Sequence, residues 1–170
     1  MLKRSIAVLA LATTLSVGCL AQSVTQPRQS QTAASSKVDT LQVDIRAVMD
    51  GLNDDFDVLR NMASSLQGHE QDNAVDLVDI IHRAVLETDA AFWFITPYNK
   101  IGCDQDREIM RGILQNRLKM YSHLLDLNID TLSQQLTSTR LPAVSQVALR
   151  AQDKMRSAKR DMQSVLDAIQ

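Results

Sequence analysis

From Leu41 to Ile169 the apolar residues return every three or four positions, and glycine and proline fall mostly at a few junctions. A helix turns once per 3.6 residues, so this spacing lines up one buried stripe per segment, whereas a strand would alternate every second residue. The chain is therefore read as all-α. Four such segments follow one another.

The first carries Leu41, Ile45, Val48, Leu52, Phe56, Leu59 and Leu66, and Gly68 supplies its stop. Gly51 lies inside that pattern and costs about 1 kcal/mol relative to alanine, so a bend is expected there. Asp72 reads as the N-cap of a second helix with the stripe Leu77, Ile81, Ala84, Thr88, Phe92 and Ile95. Pro97 should end it, because the residue before proline avoids helical torsions. Asp104 caps a third helix holding Met110, Ile113, Leu114, Tyr121, Leu124, Leu125, Leu132 and Leu136. Ser138 and Thr139 cap a fourth, in which Leu141, Val144, Ala148, Ala151, Met155, Ala158, Met162, Val165 and Ile169 form a coiled-coil-like seam. Pro142 is tolerable in its first turn. Short connections between long helices favour antiparallel neighbours, and the expected fold over 37–170 is an up-down-up-down antiparallel four-helix bundle.

Charge is distributed to suit that packing. Lys37 to Thr96 holds twelve acidic residues against Lys37, Arg46, Arg60 and Arg83, whereas the fourth helix carries Arg140, Arg150, Lys154, Arg156, Lys159 and Arg160 against three aspartates. A basic last helix beside acidic neighbours favours this register, although an exposed pair is worth only about 0–1 kcal/mol.

The amino-terminal residues carry a different signal. Lys3 and Arg4 precede an apolar run, Ile6 to Val17, that is shorter than the roughly 20 residues a bilayer span needs. Residues 1–21 are read as a signal peptide, cut either before Cys19 or after Ala21. Leu15-Ser16-Val17-Gly18-Cys19 resembles the lipobox of bacterial lipoproteins, with Ser16 where that family usually has Leu. The resemblance implies acyl chains on Cys19, and Leu20 in place of aspartate implies the outer rather than the inner membrane. With cleavage after Ala21 the protein would instead be free in the periplasm. Residues 22–36, rich in Gln, Ser and Thr, lack apolar periodicity and are read as a flexible polar tether. Cys19 is consumed or discarded on either route, so Cys103 is read as a thiol, buried or forming a disulfide between molecules.

Four of the six aromatics crowd into Phe92, Trp93, Phe94 and Tyr98, at the end of the second helix. Consecutive helical residues diverge by about 100°, so these rings cannot all face one core. Phe92, Trp93, Phe94 and Tyr98, with Leu86, are candidates for a surface that meets a membrane or a protein groove; the competing reading closes the bundle end with the aromatics. Val75, Leu86, Ala90 and Trp93 form a second seam away from the core stripe, suited to a partner helix or a homodimer.

Chemistry is thinly represented. Asp79 and His82 stand three apart, but a dimetal bundle needs two Glu-x-x-His pairs and further glutamates, and no metal site is expected. No Cys-x-x-Cys-His attaches haem, although His82 with a methionine is a conceivable b-type haem pair. The run Asp50 to Asp57 lacks the ligand alternation of a calcium loop. No hydrolase, zinc-protease or phosphate-loop motif occurs, and a net charge of −2, or −4 without Lys3 and Arg4, does not suit nucleic acid. The sequence thus points to an exported, lipid-anchored envelope protein with a binding or scaffolding role, no catalysis and no cofactor. Its alternative is a soluble periplasmic bundle for a small ligand, haem or metal.

Overall fold

The computed structural model describes residues 28–170, with side chains from Lys37 onward. The expected signal peptide and Cys19 lie outside them. Four helices pack against one another, α1 (Arg28–Ser64), α2 (His69–Lys100), α3 (Asp104–Leu136) and α4 (Pro142–Ala168), and there is no strand among the described residues. α1 starts within the stretch 22–36 read as a tether; beyond Pro27 that stretch contains no glycine or proline to oppose a helix.

Each helix buries one stripe. Ile45, Leu52 and Leu59 of α1 are fully buried at heptad spacing, with Val38 one heptad earlier. On α4 the seam from Val144 to Ile169 is buried as expected, and Ala148, Ala151 and Ala158 bring its backbone close to the neighbouring helices. α1 packs on α2 and α4, and α3 packs on the same two helices, with a smaller diagonal contact between α2 and α4. Cross-helix partners run in opposite senses: Gln42 meets Thr96 where Phe56 meets His82, and Asp55 meets Arg150 where Gly51 meets Lys154.

Several expected boundaries move. α2 does not stop at Pro97 but continues through it to Lys100. Proline has no N–H for the Trp93 carbonyl, so one helical hydrogen bond is lost, yet packing of Ile95, Phe94 and Tyr98 on the core holds the last turn. Asp72 is not the N-cap. Gly68, at φ 60° and ψ −146°, takes a positive-φ conformation that side chains disfavour and that reverses the chain, and its carbonyl accepts the N–H groups of Gln71 and Asp72. Asp72 and Glu70 lie in the first turn, where carboxylates favour the positive end of the helix dipole. Asp104 likewise opens α3 one residue inside Cys103. Ser138 and Thr139 belong to the turn closing α3, and Leu141 precedes Pro142 at the start of α4.

The polar groups that enter the core tie α4 to its neighbours. Asp55 is 3% exposed and accepts hydrogen bonds from Arg150 Nη2 at 2.9 Å and Lys154 Nζ at 2.7 Å. Lys154 Nζ also donates to the Gly51 carbonyl at 2.6 Å. A Cβ on Gly51 would lie 3.1 Å from Lys154 Cε, so the glycine makes room for this lysine, and the helix runs through it unbroken. On the other side Lys159 Nζ donates to Asp126 at 2.6 Å, and the buried Gln152 amide donates to the Ile129 carbonyl and to Ser133 Oγ. Three basic residues of α4, Arg150, Lys154 and Lys159, are thus paired with carboxylates of neighbouring helices.

Candidate functional site

The helical turn sends the aromatic segment in three directions. Phe92 turns toward α1, half-buried, with the Arg46 guanidinium 5.4 Å from its ring centre. Phe94 turns toward α3, where its ring centre lies 6.2 Å from that of Tyr121 and the Arg117 guanidinium covers it at 5.3 Å. Tyr98 packs on the edge of the core. Trp93 stands between them and is 60% exposed. The structure therefore separates these residues: Phe92, Phe94 and Tyr98 help to close the bundle end, and Trp93 alone faces solvent.

Trp93 belongs to a different set. Leu86 (55% exposed) lies seven residues before it on the outer side of α2, with Val75 further back. The α3 helix contributes Ile109, Ile113, Met120 and Leu127, all exposed. Ile113 was expected in the core. Its neighbour Leu114 takes that place, because Leu114, Leu118, Tyr121, Leu125 and Leu132 supply a full inward stripe. The parallel heptad Ile113, Met120, Leu127, each one residue before a buried or core-facing position, was the available signal for a second apolar face on α3.

Where the end of α2 turns into α3, a groove of about 560 Å³ is lined by Pro97, Ile101, Cys103, Ile109, Met110 and Ile113, with Asp106 as its acidic side chain. Cys103 is a thiol, half-buried, at the position preceding α3, where its carbonyl accepts the Arg107 N–H. Arg107 Nη2 donates to the Ile101 carbonyl and holds the turn closed. Gln42 of α1 reaches this end through Thr96 and Asn99, so the early part of α1 and the groove share one end of the bundle.

One titratable group at the α2–α3 seam is displaced. The Glu87 carboxyl is pushed up to about 7 by burial, which outweighs the Asn128 amide donor at 2.7 Å and the Arg83 charge, both of which pull it down. His82 is exposed and packs on the Phe56 ring at 5.0 Å, apart from His69 and His123. Among the described residues no group of three or more His, Cys, Asp or Glu side chains is placed to hold a metal ion. Nor is any described helix long and apolar enough to cross a membrane.

No family model matches the chain, and no curated protein or solved structure matches it.

Proposed function

We propose that this is an exported, lipid-anchored, up-down-up-down helical bundle of the bacterial cell envelope that acts by binding or scaffolding, without catalysis. The observation that carries the binding role is the concentration of exposed large apolar side chains on α2 and α3: Leu86 and Trp93 on one, Ile109, Ile113, Met120 and Leu127 on the other. Apolar residues scattered singly over a surface need no explanation, but a run at heptad spacing on two adjacent helices matches what a partner helix or protein would cover. The antiparallel order of the cross-helix contacts supports the topology. The signal-like residues 1–21 and the lipobox-like Cys19 support the anchorage, with the outer membrane favoured.

The test is the intact mass of the protein from membrane and soluble fractions, for wild type and Cys19→Ala. A triacylated mass in membranes, lost on substitution, is expected; a soluble chain beginning at Gln22 would remove the anchor. One observation favours a second reading, a periplasmic bundle for a small apolar ligand: the groove beside Cys103 has the volume of a ligand pocket. Native mass spectrometry of protein from its host would show a bound small molecule if that reading holds.

A further inference from the structure

We infer that the outer face of α2 and α3 is self-complementary and pairs two copies of this chain antiparallel, about a two-fold axis lying across both helices. The inference names the partner for the binding surface proposed above and depends on that surface, not on the anchor. Its basis is a match of level between the two helices. Glu87 meets Asn128 and Phe94 meets Tyr121 on helices that run in opposite senses, so Leu86 stands within about 3 Å of the level of Leu127, and Trp93 within about 3 Å of that of Met120. These four residues are 55%, 49%, 60% and 39% exposed. They make two apolar rungs seven residues apart, about 10 Å along the helices.

A two-fold axis midway between the rungs exchanges them. Leu86 then meets the second copy's Trp93, and Met120 meets the second copy's Leu127, each contact occurring twice, as an isologous interface requires. The same operation acts on the flanking charges. Asp79, seven residues before Leu86, arrives opposite Lys100, seven residues after Trp93; Lys119 comes within a turn of Asp130. All four are exposed. The charges at the two ends of the face are thus opposite in sign under the operation that pairs the apolar rungs, which neither a parallel pairing nor a shifted register would achieve. From Asp79 to Lys100 the face is about 32 Å long and two helices wide, roughly 20 Å, the scale of a standard interface at about 800 Å² per partner. One element opposes it: Asp89 falls near its own copy beside the axis, so like charges limit the affinity.

The pairing sends the two α1 starts to opposite ends. The two-fold runs across the helices and α1 packs on α2, so both starts lie on the same side of the pair, and copies anchored in one leaflet pair with their helices along the membrane.

The test is cross-linking of the full chain in cells with a short bis-maleimide. In a Cys103→Ser background, His123→Cys places a thiol beside the axis and is expected to give a covalent dimer, whereas Gln163→Cys on the exposed side of α4 gives monomer. Adding Leu127→Lys should abolish the dimer while leaving helix content unchanged. Lys119→Asp should weaken it, Lys119→Asp with Asp130→Lys should restore it, and Asp89→Asn should raise the dimer fraction. Monomer from His123→Cys, or a dimer indifferent to Leu127→Lys and to the charge exchange, would overturn the inference. The intact mass is read on the same samples: lipid-bearing monomer would sink the pairing alone, and unlipidated dimer the anchorage alone.

Discussion

The α1–α4 seam and the outer face of α2 and α3 are built from similar residue types used in opposite ways. At the seam, charge goes inside: Asp55 is buried and held by Arg150 and Lys154, and Gly51 gives up its side chain so that Lys154 can reach a backbone carbonyl. On the outer face, apolar side chains go outside, at Leu86, Trp93, Met120 and Leu127. A buried charge with several directed bonds tolerates one register of α4 against α1, so the seam is specific for this chain's own helix. The exposed part of such an apolar stripe adds nothing to the monomer and gains only when something covers it. The contrast separates what holds the fold from what the fold presents.

The largest effect is expected at the seam. Asp55→Ala removes the shared acceptor of Arg150 and Lys154, and hydrogen bonds to charged groups are worth about 1.5–3 kcal/mol. Both cations retain some access to water, with 58% and 33% of their side chains exposed, so a loss of about 2 kcal/mol in urea unfolding is expected rather than the larger cost of a fully buried orphan charge. An unchanged midpoint would mean that the cluster orders the surface without stabilising the seam.

A smaller effect is expected where α2 meets α3, and it depends on pH. Glu87 has its carboxyl raised from 4.5 to about 7, so the folded state holds this proton more tightly than the unfolded chain does. Its contribution to stability is complete below about pH 4.5 and is lost as the pH rises through about 7. Glu87→Gln keeps an acceptor for the Asn128 amide and cannot ionise. The variant should match wild type at pH 4 and exceed it by about 1 kcal/mol at pH 8, a figure reduced for the partial exposure of the group. Equal midpoints at both pH values would show that solvent reaches the carboxylate freely.

How far the sequence foretold each region follows from what it encodes locally. The inward stripes of α1 and α4 were legible because heptad positions such as Ile45, Leu52, Met155 and Met162 are apolar throughout. The helix ends were less so: Asp72, Asp104 and Ser138 are good caps in isolation, but Gly68, which alone tolerates a positive φ, and Pro142, which fixes its φ, set the starts of α2 and α4. Pro97 was read as a stop, because the cost of a missing N–H is local while the packing that offsets it, from Phe94 and Ile95, is tertiary. On the candidate surface, Leu86 and Trp93 could be picked out from α2 alone. Met120 and Leu127 could not, since their significance lies in standing beside those two within about half a turn, which only the α2–α3 register reveals. The Asp55 cluster was hidden for the same reason, with its members 95 and 99 residues apart.

The smallest effect on folding is expected at the outer face, and it sets the sharpest contrast with the seam. Leu127 is 49% exposed, so replacing it by glutamine removes little buried area from the monomer, and glutamine is close to leucine in helix propensity. Leu127→Gln should shift monomer stability by no more than about 0.5 kcal/mol, against about 2 kcal/mol for Asp55→Ala. The comparison is best made in urea at a concentration low enough to keep the chain monomeric, because any partner that covers Leu127 stabilises the folded state by mass action. A wild-type midpoint that rises with protein concentration, and a Leu127→Gln midpoint that does not, would show that this leucine acts between molecules. A large loss at every concentration would instead make Leu127 part of the core and move it to the side of Asp55 in the comparison.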